Sequence, residues 1–362
     1  MNTQPIFIVG TERSGSNLLR LILNAHSRIA IPHPPHILNY FQPIEATYGD
    51  LARAHAFSRL VDDILRLISV HIHPWEIRVQ RDRILREAWP RNTFGVFCAI
   101  YDQFLDATGK ARWGCKSTFM IEHAPCIVER YPEARFVWLI RDPRDVAASA
   151  RRSVFGPCHP WLTARLWAHQ QRLGLALEEQ RSSHLIRIHY EELITGTKAV
   201  LSRICAFLGE DLESDMFHFD RTQEARRCSA LSACWRNTGT GMLSHNAGKF
   251  ITDLTSRETA LVEHTAAPVM RSLGYRPVTL DPVPSPPSGL SLLRLRMLEG
   301  IWRLGVEVRS LRQDRNVFLR WLRRATVESI YERQRFRRLV KGLFHPRPAQ
   351  KACGRGNRRP SP

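Results

Sequence analysis

The chain reads as α/β: a P-loop-like three-layer domain with a parallel β-sheet flanked by helices, followed by a basic helical C-terminal extension. Three observations lead there. Strand-like apolar runs alternate with segments of helical period, as in a parallel sheet with crossover helices. Two of those runs end in polar loops that open helices and suit phosphate. Basic residues then crowd the last part of the chain. The 362 residues carry 53 Lys+Arg against 34 Asp+Glu, a net charge of +19. From Gly289 onward there are 19 basic and 5 acidic residues, a net of +14, so the extension holds most of the basicity. With 43% hydrophobic residues, the remainder is long enough to bury a sizeable core.

The elements follow in order. Ile6-Phe7-Ile8-Val9 is the first strand, and Leu18, Leu21, Ile22 and Ala25 recur at helical spacing after it, which predicts a helix over 17–24. Further strands are expected near 112–115, 136–140 and 185–189. Helices are expected over 57–70, 83–89, 96–108, 124–131, 143–151, 163–180, 198–208 and 256–273. Gly209 is placed to end the helix before it, and Thr255 to cap the last one, with Glu258 completing a capping box. This predicts one domain over 1–280. Residues 281–288, Asp-Pro-Val-Pro-Ser-Pro-Pro-Ser, read as a stiff linker. Basic amphipathic helices follow within 289–345, over 290–311 and 317–344, and 346–362 read as a disordered tail. In the first of these helices Leu298, Ile301, Trp302 and Gly305 suggest an apolar stripe; in the second, Phe318, Leu322 and Ala325 do. Such a pair either packs on the domain with a solvated basic face or meets an anionic membrane surface or acidic partner. Nucleic acid is disfavoured, because no base-reading motif accompanies the charge.

No secretory pattern opens the sequence, and no stretch approaches the apolar length of a membrane span. The eight cysteines show no C-x-x-C pair and no zinc-like spacing. Cys98, Cys126 and Cys205 lie in apolar surroundings, as reduced thiols would. The expectation is a cytoplasmic protein, with peripheral membrane association through the C-terminal helices as a variant.

The first polar loop, Gly10-Thr11-Glu12-Arg13-Ser14-Gly15-Ser16-Asn17, has the glycine spacing of G-x-x-x-x-G-K-[ST]. Ser16, however, stands in the lysine position and Asn17 in that of the magnesium-binding hydroxyl. Arg13 supplies a cation inside the loop instead. The second loop, Arg141-Asp142-Pro143-Arg144-Asp145 with Ser149 beyond, follows another apolar run. Asp142 is placed to cap its helix, with Pro143 in the first turn. Both loops leave the carboxyl ends of strands, where open parallel sheets bind ligands, so together they describe a pocket for a nucleotide with phosphates at two ends.

Here the chain resembles the sulfotransferases that use 3′-phosphoadenosine-5′-phosphosulfate (PAPS), especially their bacterial and tyrosylprotein-type branch. Arg13-Ser14-Gly15-Ser16-Asn17-Leu18-Leu19 is similar to that branch's P-R-S-G-T-T-L-L loop, and R-[DN]-P-x-D-x-x-x-S is matched in full from Arg141 to Ser149. Arg112-Trp113-Gly114-Cys115-Lys116-Ser117 resembles W-G-x-K-T-P, and Tyr190-Glu191-Glu192-Leu193 resembles Y-E-D-L. Ile204 to Gly209 and Gly248-Lys249-Phe250 are similar to later landmarks, and the likeness runs roughly from Ile6 to Pro277. The resemblance implies that Arg13, Ser14, Gly15, Ser16 and Asn17 hold the 5′-phosphosulfate and that Arg141 and Ser149 hold the 3′-phosphate. Lys249 is then a further cation for the 3′-phosphate, and Tyr190 either lines the adenine site or caps the strand edge.

Sulfuryl transfer builds negative charge on the oxygen that leaves sulfur, so Lys116 and Arg13 are the cations expected to stabilise that charge. The branch's I-P-P-E-[SP]-H-F segment, whose glutamate is implied as general base, is met here by Ile31-Pro32-His33-Pro34-Pro35-His36-Ile37. Pro34 stands where the glutamate belongs. His36 or His33 is the expected substitute; a carboxylate elsewhere, or an acceptor that needs no strong base, stays open. The implied activity is PAPS-dependent transfer to a hydroxyl or amine of a small-molecule, lipid, saccharide or peptide acceptor, without a metal. The alternatives are an ATP-dependent small-molecule kinase of related fold and a nucleotide-binding, membrane-associated protein that has lost catalysis.

Overall fold

A computed structural model describes residues 4–279 and 289–344. Five strands form one parallel sheet: β1 (Ile6–Val9), β2 (Ile29–Ala30), β3 (Arg112–Lys116), β4 (Arg135–Ile140) and β5 (Leu185–His189). Their order is β2-β3-β1-β4-β5. Strand residues alternate between two cores, which makes the three layers. Phe7, Val9, Phe136, Trp138 and Ile140 point into one apolar cluster, while Ile6, Ile8, Val137 and Leu139 point into the other. Both faces are covered by helices, so the central strands carry continuous apolar runs. The expected strands are all present. β2, only two residues long, carries no readable period and was not anticipated.

The helices fall where periodicity placed them, with ends moved by a few residues. Asp142 caps Pro143–Ala150 by accepting from the Arg144 N–H. Thr255 and Glu258 form the capping box of Ser256–Ser272, and Gly209 ends Thr197–Leu208 at φ 70°. Gly10 is required by contact as well as conformation: at φ 150°, a Cβ there would sit 2.3 Å from the Leu139 carbonyl oxygen. The loop after β1 therefore runs tight against β4, and the strand ends carrying Lys116, Arg141 and Tyr190 lie side by side with it at the carboxyl edge of the sheet.

The two C-terminal helices, Gly289–Gln313 and Val317–Phe344, pack on the domain, and the stripes expected on them are corrected. On the first, Ile301 is 62% exposed and Gly305 is also exposed, Leu298 and Trp302 are half-buried with the Trp302 ring stacked on His159, and Leu295, Val306 and Ser310 are the buried positions. On the second, Phe318, Leu322 and Ala325 face outward, and the packed face is Arg323, Thr326, Ile330 and Gln334. The reason is a polar docking surface. Arg323 donates to the carbonyls of Pro35 and Leu67, and Arg333 and Gln334 donate to Asp63, which also accepts from Tyr48. Apolar periodicity is blind to such an interface. The linker 281–288 and the tail 346–362 lie outside the described residues. Among the described residues no helix is long and apolar enough to cross a membrane. Cys98 and Cys205 are buried free thiols and Cys126 a half-buried one, with burial pushing Cys98 up to about 12 and Cys205 up to about 11.

Candidate functional site

A cavity of about 520 Å³ opens at the carboxyl edge of the sheet. The first loop forms its floor. Arg13 takes a left-handed conformation (φ 70°) that turns its guanidinium across to the second loop, where Nε donates to Ser149 Oγ at 3.1 Å and Nη2 to the Cys234 carbonyl at 3.3 Å. The helix Ser16–Asn24 begins at Gly15 with no side-chain cap, so its first N–H groups face the cavity unpaired by a cap. Ser14 Oγ is buried without a protein partner among the described residues. The Asn17 amide is committed to its neighbours, accepting from Arg20 Nε at 2.8 Å and lying 3.1 Å from Cys228 Sγ.

Arg141, at the end of β4, ties the loops together. Its Nη1 donates to the Arg13 carbonyl at 3.1 Å, its Nη2 to the Asn246 carbonyl at 2.9 Å, and its guanidinium lies 4.6 Å from the Tyr190 ring centroid. Its Nε is buried without a protein partner among the described residues. Asp145 pairs with it at 3.4 Å and accepts from the backbone N–H of Gly248 and Phe250, which pins Lys249 between them at the cavity wall. The Asn246 amide donates to Tyr190 Oη at 2.7 Å, and a side chain at Gly15 would strike the Tyr190 ring at 2.5 Å. Every residue of the second-loop motif that faces the cavity is thus set by at least one fixed contact.

Lys116 ends β3 and points into the same space. Burial, reinforced by Arg20 and opposed by Glu12, brings its ammonium down to about 8, so it stays mostly charged at pH 7. Glu12 is a cavity residue that sequence reasoning missed. Burial raises its carboxyl, while Lys116, Arg13 and Arg303 act in the opposite sense. An acidic side chain inside a loop shaped for anions was the available signal.

The far end of the cavity is a cluster of imidazoles. His36, in a left-handed conformation at φ 55°, has Nδ1 2.8 Å from Ser117 Oγ and its ring edge-on to Phe119. His33 Nδ1 lies 3.3 Å from His71 Nε2, and its ring stacks on His73 and meets Trp235 edge-on at 4.8 Å. Burial, with cationic neighbours adding to it, holds His33, His36 and His71 well below the usual histidine range, and His73 falls to about 4. These rings are neutral at pH 7. No carboxylate occupies position 34, where Pro34 stands. His71, His73 and Trp235 were also missed, since nothing in their local sequence marks them as neighbours of His33. Arg309 and Gln313, from the first C-terminal helix, complete the lining.

The site residues expected from the sequence all gather around this one cavity: Arg13, Gly15, Ser16, Asn17, His33, His36, Lys116, Arg141, Ser149, Tyr190 and Lys249 line it, and Ser14 lies buried in its first loop.

The sequence model of the sulfotransferase family matches residues 5–214. Among solved structures, the chain is similar to the sulfotransferase domain from the curacin biosynthetic pathway, at 18% identity and a TM-score of 0.51, over 76% of this chain and 98% of that one. It is likewise similar to the sulfotransferase domain of the Synechococcus PCC 7002 olefin synthase, at 19% identity and a TM-score of 0.53, over 76% and 96%. At these identities the likeness is one of fold. No curated protein matches the chain by sequence. Trp235, Asn246 and Lys249 lie beyond the matched segment.

Proposed function

The chain belongs to the sulfotransferase family, and from that premise we propose that it moves the sulfuryl group of PAPS to a hydroxyl or amine of an acceptor. The observation that carries the reading is the junction of the two phosphate-suited loops, Arg13 Nε to Ser149 Oγ and Arg141 Nη1 to the Arg13 carbonyl, within one cavity. In this reading the loop N–H groups and Arg13 receive the 5′-phosphosulfate. Arg141, Ser149 and Lys249 receive the 3′-phosphate, where Arg141 Nε, without a partner among the described residues, has a donor to spare, and the Tyr190 ring flanks the base. Ser16 and Asn17 stand where a kinase loop would carry its lysine and magnesium-binding hydroxyl, which weighs against the kinase alternative.

The transfer is an in-line displacement. An acceptor oxygen or nitrogen bonds to sulfur as the bridging S–O bond breaks, and the bridging electrons stay with the departing adenosine 3′,5′-bisphosphate. Lys116 and Arg13 meet the charge that grows on that oxygen, an interaction stronger in the transition state than in the ground state. The acceptor proton passes to His36. In this reading the tautomer is the one in which Nδ1–H donates to Ser117 Oγ, 2.8 Å away, which leaves Nε2 to accept, and burial keeps the ring neutral for that task. Glu12 is the competing base, a carboxylate in the same cavity with its affinity for protons raised by burial.

Calorimetry with adenosine 3′,5′-bisphosphate, adenosine 5′-monophosphate and ATP tests the donor, and labelled-sulfate transfer from PAPS into a lysate of the native host tests the reaction. Selective binding of the bisphosphate together with a labelled product is the expected result. Magnesium-dependent ATP turnover without sulfate transfer would overturn it.

A further inference from the structure

The first C-terminal helix has two opposed faces. Leu295, Val306 and Ser310 are buried against the domain, and on the same side Glu299 accepts from the Cys158 and His159 N–H groups while Arg303 donates to the Gly156 carbonyl. The opposite side carries Leu293, Met297, Ile301, Leu304, Val308 and Leu311, each between 50% and 66% exposed. Steps of three and four residues line them up along one side of the helix, a row about 27 Å long at 1.5 Å per residue. Beyond the turn, Phe318 and Trp321 are 72% and 55% exposed. Contiguous apolar surface of this extent marks an interaction face.

Charge selects the partner. Arg294 and Arg312 flank the row, and Arg296, Arg309 and Arg315 lie on the same helix or just past it. All five are exposed, and none makes an ion pair among the described residues. Residues 289–344 hold 14 Lys+Arg against 5 Asp+Glu. A second copy packed antiparallel on the row would bring Arg294 of one helix against Arg312 of the other, because both arginines lie on the same flank. An anionic lipid surface accepts the apolar row and the flanking cations together.

We propose that this helix is an interfacial anchor that lies in the surface of an anionic bilayer. It lies on that surface and does not span it, since no described helix is long and apolar enough to cross. Because Arg309 and Gln313 also line the cavity, the docked helix sets one cavity wall beside the lipid headgroups. The inference is independent of the donor reading.

The test is co-sedimentation of the full chain with phosphatidylcholine–phosphatidylglycerol vesicles and with phosphatidylcholine vesicles alone, across a salt series, beside sedimentation velocity without lipid. Binding to the anionic vesicles only, falling steeply with salt, is the expected result. The triple variant Met297→Ser, Ile301→Ser, Leu304→Ser should lose about tenfold or more in partitioning while keeping its Tm. The pair Arg294→Gln, Arg312→Gln, which leaves the apolar row intact, should reduce the preference for anionic over neutral vesicles and keeps the test decisive if the triple variant does not fold. Equal partitioning to both vesicle types, no binding to either, or a dimer that the triple variant converts to monomer would overturn the proposal.

Discussion

At the Arg141 end of the cavity, charged groups are held in place by partners; at the His33 end, imidazoles are held neutral by burial. Arg141 is braced by Asp145, two carbonyls and the Tyr190 ring, and Asp145 is braced in turn by two backbone N–H groups. His33, His36, His71 and His73 sit in a closed aromatic and cationic setting that lowers their affinity for protons. The contrast follows from what each end would handle. An end that receives a fixed anion gains from preorganised cations, because they need no rearrangement when the ligand arrives. An end that takes a proton needs a group still unprotonated at working pH, and burial provides it.

The contrast can be broken or sharpened by substitution. The largest effect is expected at His36: His36→Ala should lower turnover by about 10²–10⁴-fold while leaving the bisphosphate affinity within a few-fold. His33→Ala should do less. If both histidine variants keep near-normal rates and Glu12→Gln loses activity instead, the proton goes to the carboxylate and the neutral end is not the base. Next, Lys116→Ala should cut turnover by about 10²–10³-fold, again sparing bisphosphate affinity, because its contact is assigned to the transition state. A matching loss of donor affinity would move Lys116 to ground-state binding.

Arg141→Ala should act the other way, on binding before rate. Preference for the bisphosphate over the 5′-monophosphate should collapse by roughly 10–100-fold, the worth of a charged hydrogen-bonded contact. Calorimetry showing intact discrimination in a folded variant removes Arg141 from the 3′-phosphate. Arg323→Met probes the support behind the His36 end. It leaves the Pro35 and Leu67 carbonyls without their donor and should cost roughly 1–3 kcal/mol of stability, read as a lower Tm. Turnover should fall with bisphosphate affinity unchanged, because Pro35 adjoins His36 and lies away from Arg141.

The most gradual effect is on pH-dependent stability. A buried imidazole whose proton affinity is lowered binds fewer protons folded than unfolded, so stability is full above the unfolded value near 6.5 and declines below it. The decline stops at the folded value, about 4 for His73. Each such histidine should contribute up to about 1.4 kcal/mol of lost stability per pH unit in that window. Thermal melts from pH 7.5 to 4.5 should show the drop, and His73→Asn should flatten it. A flat profile in the unsubstituted chain would mean that the imidazoles are not held neutral.

The charged end was far more legible in the sequence than the neutral end. Arg13, Arg141 and Ser149 belong to contiguous motifs, in which a strand end, a turn and a helix start are set by neighbouring residues; the structure had only to bring two such units together. Asp145 could be matched to a motif, yet its work of pinning residues 248 and 250 was not readable. Lys116 was found through its Trp-Gly-Cys-Lys context. His33 and His36 were singled out because Pro34 interrupts a familiar pattern, whereas His71, His73 and Trp235 reach them from far along the chain and carry no local mark. Glu12 lies inside the first loop and lines the cavity, but the glycines and Arg13 beside it already complete an anion-suited pattern without its carboxylate.

By itself, the sequence determined the layered α/β plan, the two anion-suited loops, the helix caps at Asp142 and Thr255, and the concentration of positive charge after Gly289. All of these depend on period, spacing or local hydrogen bonding within a few residues. Only the tertiary structure decided which imidazoles meet, that Glu12 faces Lys116, that the last helix docks through Arg323, Arg333 and Gln334, and that an apolar row is left facing outward on the helix before it. Those outcomes depend on burial and on contacts between residues distant in sequence. Burial sets both the protonation of a histidine and the side on which a helix is satisfied, and it is a property of the assembled chain.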